Sequence, residues 1–171
     1  MEIQEDTEPI IEILPAISND MSFVDLAKAV PSSWRPVFTE AKDEFVYLDE
    51  VIKTEVFPEK KSVFKAFELT PLHDVRVVLL GQDPYHQRKP NGKPRAQGLS
   101  FSVSKDDDIP VSLKNIYQEI KNEYPEYNPP KHGDLSRWAR QGVLLLNSSL
   151  TVEPGRAGGG RSSSQRVFLF C

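Results

Sequence analysis

Two short apolar runs dominate the pattern of the chain: Val75-Arg-Val-Val-Leu-Leu80 and Val143-Leu-Leu-Leu-Asn147. Each has the length of one strand and almost no polar alternation, the signature of strands buried on both faces of a parallel sheet. Elsewhere the period lengthens. Phe38, Ala41, Phe45, Leu48 and Ile52 recur at steps of three and four and predict a helix over 36–54. Ser62 to Leu69 predicts a short helix broken by Thr70-Pro71. Leu113, Ile116, Tyr117, Ile120 and Tyr124 form a stripe that predicts a helix over 113–124, with Ser112 as its N-cap and Pro125 as its stop. A further helix is expected over about 134–141, with Asp134 near its start and Gly142 just past its end. Gly98 to Val103 alternates and predicts a short strand or extended segment. Residues 87–97 predict an exposed basic loop, and Asp106 to Asp108 a solvated turn. Two apolar strands separated by helices imply an α/β fold with a right-handed parallel crossover.

The ends differ from this body. Residues 1–20 hold six acids and no Lys or Arg, and are expected to form a flexible acidic tail. Within it, Pro9 to Ile17 is more apolar: a loosely packed strand or coil, with a short docking segment as the alternative. The domain proper is expected over 21–152. After Val152 a Gly/Ser/Arg-rich stretch without a core pattern predicts a disordered, unrelated tail over 153–171, closed by the apolar Val167-Phe-Leu-Phe-Cys171.

The first apolar run ends in Gly81-Gln-Asp-Pro-Tyr-His86, and the second ends at Asn147. If the strands are parallel, both tips emerge on one edge of the sheet, where ligands bind in α/β proteins. That edge would carry the Asp83 carboxylate, the Tyr85 phenol, the His86 imidazole and the Asn147 carboxamide, with Phe101 near enough in sequence to add an aromatic wall. Asp and His can orient and deprotonate a water or stabilise developing positive charge. An amide presents a donor and an acceptor in one plane, suited to a base edge. A Phe stacks on a flat heterocycle. The set suits a flipped nucleobase whose bond to sugar is being broken, the carboxylate stabilising an oxocarbenium-like sugar. Each residue also has an ordinary structural alternative: Asp83 as a turn or cap residue, Asn147 as a strand cap, Phe101 as core.

Charge changes this picture little. The net charge of −4 looks wrong for a DNA binder, yet of 25 acids six lie in 1–20, leaving 19 against 21 Lys and Arg in the rest of the chain. A near-neutral body can still present a local basic face. The single cysteine, Cys171, rules out a disulfide within the chain and predicts a reducing, intracellular compartment: the nucleus if eukaryotic, or the cytoplasm. No apolar run has the length of a membrane span, so no membrane partner is expected. His73, His86 and His132 lack metal-ligand spacing, and no metal or cofactor is expected.

Residues 81–86 resemble the water-activating motif of the family 1 uracil-DNA glycosylases. The resemblance extends through Trp34, Val75–Leu80, Gly98-Leu-Ser-Phe-Ser-Val103, Ser112-Leu-Lys-Asn-Ile-Tyr117, His132-Gly-Asp-Leu-Ser136 with Trp138, Gln141-Gly-Val-Leu-Leu-Leu-Asn147 and Leu150-Thr-Val152, about residues 34–152. It implies a three-layer, parallel-sheet α/β fold whose C-terminal part is missing here. It also implies roles. Asp83 would activate water or stabilise the sugar cation, with His86 contacting that water. The Gln82 backbone would hold uracil O2, and Tyr85 would exclude the thymine methyl. Phe101 would stack on uracil, Asn147 would read its O4 and N3 edge, and Ser112 would contact a DNA phosphate. Uracil-containing DNA is the implied partner of a monomer working in base excision repair without a cofactor. A repair or replication protein is a further possible partner, through the N-terminal tail.

Members of the family continue past the position of Val152 with further strands, a glycine-serine phosphate loop, and a His-Pro-Ser loop that supplies a base-contacting histidine and a leucine wedge. None of the three histidines here precedes Pro-Ser. The 153–171 tail looks like unrelated coding sequence, such as a shifted frame or a retained intron. Marginal stability and weak or no glycosylase activity are therefore expected. The alternatives are a non-catalytic product that binds DNA or a repair partner, and an inert truncated product.

Overall fold

The computed structural model describes residues 14–155. The expectations for residues 1–13 and 156–171 lie outside the described residues. Along the chain run α1 (Phe23–Lys28), α2 (Arg35–Glu40), α3 (Lys42–Val51), α4 (Lys65–Leu69), β1 (Val77–Gly81), α5 (Val111–Glu123), α6 (Ser136–Ala139) and β2 (Val143–Asn147). The strands pair in parallel, Val77 opposite Val143 and Gly81 opposite Asn147, as the two apolar runs predict.

The helical half packs through aromatic rings. Phe38 meets Phe64 and Phe67 edge-on at 5.0 and 5.1 Å, and Trp34 meets Phe67 at 4.9 Å. Such edge-to-face pairs add to the area the rings bury. The Trp34 indole N–H donates to the Thr70 carbonyl at 2.9 Å, and the Thr70 hydroxyl to the Ala139 carbonyl at 2.9 Å. These bonds tie the helices to the turn before β2. Ser22 caps α1 by accepting from the Asp25 N–H. Asp49 of α3 accepts from the Phe23 and Val24 N–H groups, satisfying donors that a helix start leaves open.

The chain reaches both strands from one corner. Gly142 has φ +94°, and its carbonyl accepts from the Arg76 and Val77 N–H groups. A Cβ there would strike the Asp74 carbonyl, so this start to the sheet requires glycine. β2 is buried under α4 and α6, with Leu145 fully enclosed.

Several expectations are corrected. The helix over 36–54 is two helices, because Ala41 sits at ψ +14° and breaks the ladder between α2 and α3. Ser112 is not an N-cap. Pro110 holds that position, and α5 begins one residue earlier than Ser112, whose hydroxyl therefore lies within the first turn. The helix at 134–141 shortens to Ser136–Ala139, although the Asp134 carboxylate does accept from the Ser136 N–H. No strand forms over 98–103: residues 98–101 bend and turn, and 102–103 have no regular structure. β1 has the composition of a strand buried on both faces, yet Val77, Val78 and Leu80 are 54, 57 and 61% exposed and its second edge is unpaired among the described residues, the exposure expected of an apolar strand without its neighbours.

Ile17 packs on the core, and the Asn19 side chain accepts from the Lys61 N–H.

Candidate active site

The site grows from the carboxyl tips of the two strands. After Gly81 and Asn147 the chains stay laced together. The Ser148 N–H donates to the Gly81 carbonyl at 2.9 Å, and the Ser149 N–H to the Gln82 carbonyl at 3.0 Å. The Ser148 hydroxyl adds a second bond to the Gln82 carbonyl at 2.8 Å. Gln82, Asp83 and Asn147 therefore share one edge of the sheet, as the parallel pairing requires. Gly81 has a reason the apolar pattern does not reveal. The Asn147 side-chain carbonyl occupies the place a Cβ at 81 would take, so any larger residue would displace the carboxamide.

The next turn brings Tyr85 to Phe101 and Ser112. The phenol donates to the Phe101 carbonyl at 3.3 Å and lies 3.4 Å from the Ser112 hydroxyl. Burial pushes the phenol pKa upward, against the opposing pull of Ser112 and Arg95. The Arg95 guanidinium stands over the Tyr85 ring, 5.6 Å from its centroid. His86 turns one ring nitrogen towards the Gln87 amide at 2.9 Å, while its Nδ1 is buried without a protein partner. Its carbonyl accepts from the Gly155 N–H.

Phe101 is held in a left-handed conformation, φ +62°, which costs a non-glycine residue roughly 1–2 kcal/mol. Its neighbours explain how the strain is maintained. Ser100 and Ser102 are both buried. The Ser100 N–H donates to the Leu145 carbonyl, and its hydroxyl to the Leu79 carbonyl at 3.1 Å, so one residue bonds both strands. The Ser102 hydroxyl accepts from the Leu135 N–H at 3.0 Å, and the Val103 N–H donates to the Gly133 carbonyl. The His132-Gly-Asp-Leu segment thus clamps the turn that presents Phe101. Backbone strain of this kind persists where surrounding bonds over-determine it, and it concentrates at functional sites. Sequence reading missed Ser100 and Ser102 as supports. Their signal was the small polar residue at every second position of 98–103.

The basic loop over 87–97 is folded back, not splayed. Arg88 pairs with Glu55 and stands over the Phe57 ring. Lys89 bonds Asp106 at 3.1 Å and Ser104 at 2.9 Å, and Arg95 bonds Asp107 at 3.0 Å. Three of its four cations are neutralised internally. Among the described residues, no group of three His, Cys, Asp or Glu side chains gathers as a metal site. No helix of the described residues is long and apolar enough to cross a membrane.

Comparison with known proteins agrees with this fold. No family model matches the chain. A uracil-DNA glycosylase of Dichelobacter nodosus is 46% identical over 147 residues, covering 81% of this chain and 62% of the relative. One from Actinobacillus succinogenes is 53% identical over 102 residues, covering 60% of this chain and 44% of the relative. Among solved structures, mimivirus uracil-DNA glycosylase superposes with a TM-score of 0.68 at 27% identity, covering 83% of this chain and 54% of that one. A variant of the viral protein solved in complex with UGI gives 0.66 at 30% identity, covering 74% of this chain and 50% of that one. The chain spans about half the length of the relatives it matches. Shared sequence, the α/β fold and the paired strand tips lead to one conclusion: the chain belongs to the uracil-DNA glycosylase family.

Proposed function

We propose that this chain carries the water-handling and base-reading portion of a uracil-DNA glycosylase site, and that alone it releases uracil weakly or not at all. The parallel register that sets Gly81 beside Asn147 carries the reading, because it brings an acid and a planar amide to one edge. Asp83 supplies negative charge for an oxocarbenium-like sugar or accepts a proton from the attacking water. His86 contacts that water. The Asn147 amide pairs with the O4 and N3 edge of uracil, Phe101 stacks on its face, and the Gln82 backbone meets O2. Tyr85, anchored through its hydroxyl to the Phe101 carbonyl, crowds the position where thymine carries its methyl. Ser112 meets a DNA phosphate at the start of α5. Uracil in DNA is the substrate.

The expected weakness rests on the His-Pro-Ser pattern that the resemblance implies: Pro-Ser follows none of His73, His86 and His132. The chain covers 62% of the Dichelobacter relative and 44% of the Actinobacillus one. A catalytic donor supplied by the remainder is worth about 10²–10³-fold in rate. Release of uracil from a labelled single-stranded oligonucleotide, compared with a full-length relative and with Asp83→Asn, tests this. A rate at least 10²-fold below the relative's is expected. Release at the relative's rate would overturn the proposed weakness; base release unaffected by Asp83→Asn would overturn the site.

The open edge of β1 favours a second reading: a non-catalytic product that binds uracil-containing DNA or a protein. Retention of uracil-containing oligonucleotide over its thymine counterpart, without base release, would distinguish it.

A further inference from the structure

Arg95 of the basic loop donates from Nε to the Asp107 carboxylate at 3.0 Å and from Nη2 to the Asp108 carbonyl at 2.6 Å. The side chains of this ion pair are 24 and 11% exposed, so salt screens it less than a surface pair. A planar guanidinium tied at two points is held in one orientation. This one stands over the Tyr85 ring, 5.6 Å from its centroid. The ring also packs on the small cluster of Phe57, Ala96 and Val152.

The polar bonds of Tyr85 hold it weakly by themselves. Its hydroxyl lies 3.3 Å from the Phe101 carbonyl and 3.4 Å from the Ser112 hydroxyl, beyond the ~3.0 Å usual for O–H···O. The loop that covers the ring also fixes the approach to Ser112. Lys89 bonds Ser104 and Asp106, and Arg95 bonds Asp107 and Asp108. That turn leads through Pro110 into the first turn of α5, where Ser112 lies. The Arg95 backbone N–H donates to the Gln87 carbonyl at 3.0 Å, two residues past Tyr85. Arg95 therefore couples the turn after β1 to the turn before α5.

We propose that Arg95 is a positioning residue for base selection. Clamped by Asp107, it holds the Tyr85 ring against the Phe101 turn and so sets the clearance where thymine carries its methyl. The inference rests on the reading of Tyr85 as the group that crowds that methyl, and Arg95 acts through Tyr85 rather than on the base.

The test measures the affinity of the full chain for two single-stranded oligonucleotides that differ in one uracil or thymine. One methyl against an apolar wall is worth about 10–200-fold. Arg95→Gln and Asp107→Asn should each lower the uracil-over-thymine ratio about tenfold. The double variant should lower it no further, because both changes remove one clamp. Arg95→Lys, which keeps the charge without the fork, should fall between parent and Arg95→Gln. Arg88→Gln, on the same loop but paired with Glu55, should leave the ratio unchanged. Loss of folded protein weakens binding of both oligonucleotides alike and does not move the ratio. An unchanged ratio in Arg95→Gln, or additive losses in the double variant, would overturn the proposal.

A second readout needs no DNA. Hydroxyl-radical oxidation mapped by mass spectrometry follows the exposure of each tyrosine, with the exposed Tyr47 and Tyr124 as internal references. Asp107→Asn leaves Arg95 in place, yet should raise the oxidation of Tyr85 roughly twofold as the released clamp lets the ring open to water. Unchanged oxidation would overturn the clamp itself. A parent that prefers neither oligonucleotide would instead overturn the reading of Tyr85 at the base, and with it the role in selection.

Discussion

β1 and β2 are near-equivalent in sequence and opposite in environment. Both are five-residue aliphatic strands, paired residue for residue. In β2, Leu144, Leu145 and Leu146 are all less than a tenth exposed, under α4 and α6. In β1, Val77, Val78 and Leu80 stand more than half exposed. An apolar run therefore records the environment a strand is suited to, and the surrounding chain decides whether that environment is present. An unpaired apolar edge is a template for association.

The contrast can be broken most severely in the buried strand. Leu145→Ala should cost about 2–5 kcal/mol, enough to abolish cooperative unfolding in a marginal domain, whereas Leu80→Ala should stay within ~0.5 kcal/mol. Denaturant melts monitored by circular dichroism check both, and equal costs would erase the distinction between the strands. Self-association should follow the exposed strand. Val78→Lys, at a position more than half exposed, should reduce light scattering and hydrophobic-dye binding without lowering the melting midpoint. A soluble, monomeric parent with no dye binding would contradict the role assigned to that edge.

Glu68 lies on α4, and burial raises its pKa to about 7, against a weaker opposing effect of Lys65. An acid with a raised folded pKa favours folding while protonated. Its contribution is full below the unfolded value near 4.5 and is lost as pH rises through about 7. Glu68→Gln should therefore stabilise the protein at pH 8 by about 1–2 kcal/mol after allowing for partial exposure, and have little effect at pH 4. Melts across that range check the sign. The smallest effect is expected at the strand tips. Tyr85→Phe removes the long bonds to Phe101 and Ser112 and should cost about 0.5–1 kcal/mol. A loss above about 3 kcal/mol would place the phenol in the core rather than at the site.

Much of the site could be read directly from the chain. Asp83, Tyr85, His86 and Asn147 follow apolar runs that are strands, and parallel pairing brings their tips together. Ser112 was legible as a residue at a helix start but not as to its position, since Pro110 competes for the cap with a fixed backbone geometry and no side-chain bond. The helix break at Ala41 left no mark in the apolar spacing, because Phe38 and Phe45 keep their faces across it. The basic loop read as exposed, and its ion partners Glu55, Asp106 and Asp107 meet it from distant or neighbouring turns that its own sequence does not reveal.

What the amino-acid order determined alone is local: strand-length apolar runs, the polar residues that end them, and an acidic, isoleucine-bearing start. Those depend on composition and period within a few neighbours. The tertiary structure decided which strand is covered, why Gly81 must be small beside Asn147, and how Ser100 and Ser102 hold Phe101 in a left-handed turn. Each of these depends on residues distant in sequence meeting in space, and burial, steric exclusion and hydrogen-bond satisfaction have no value until that meeting occurs.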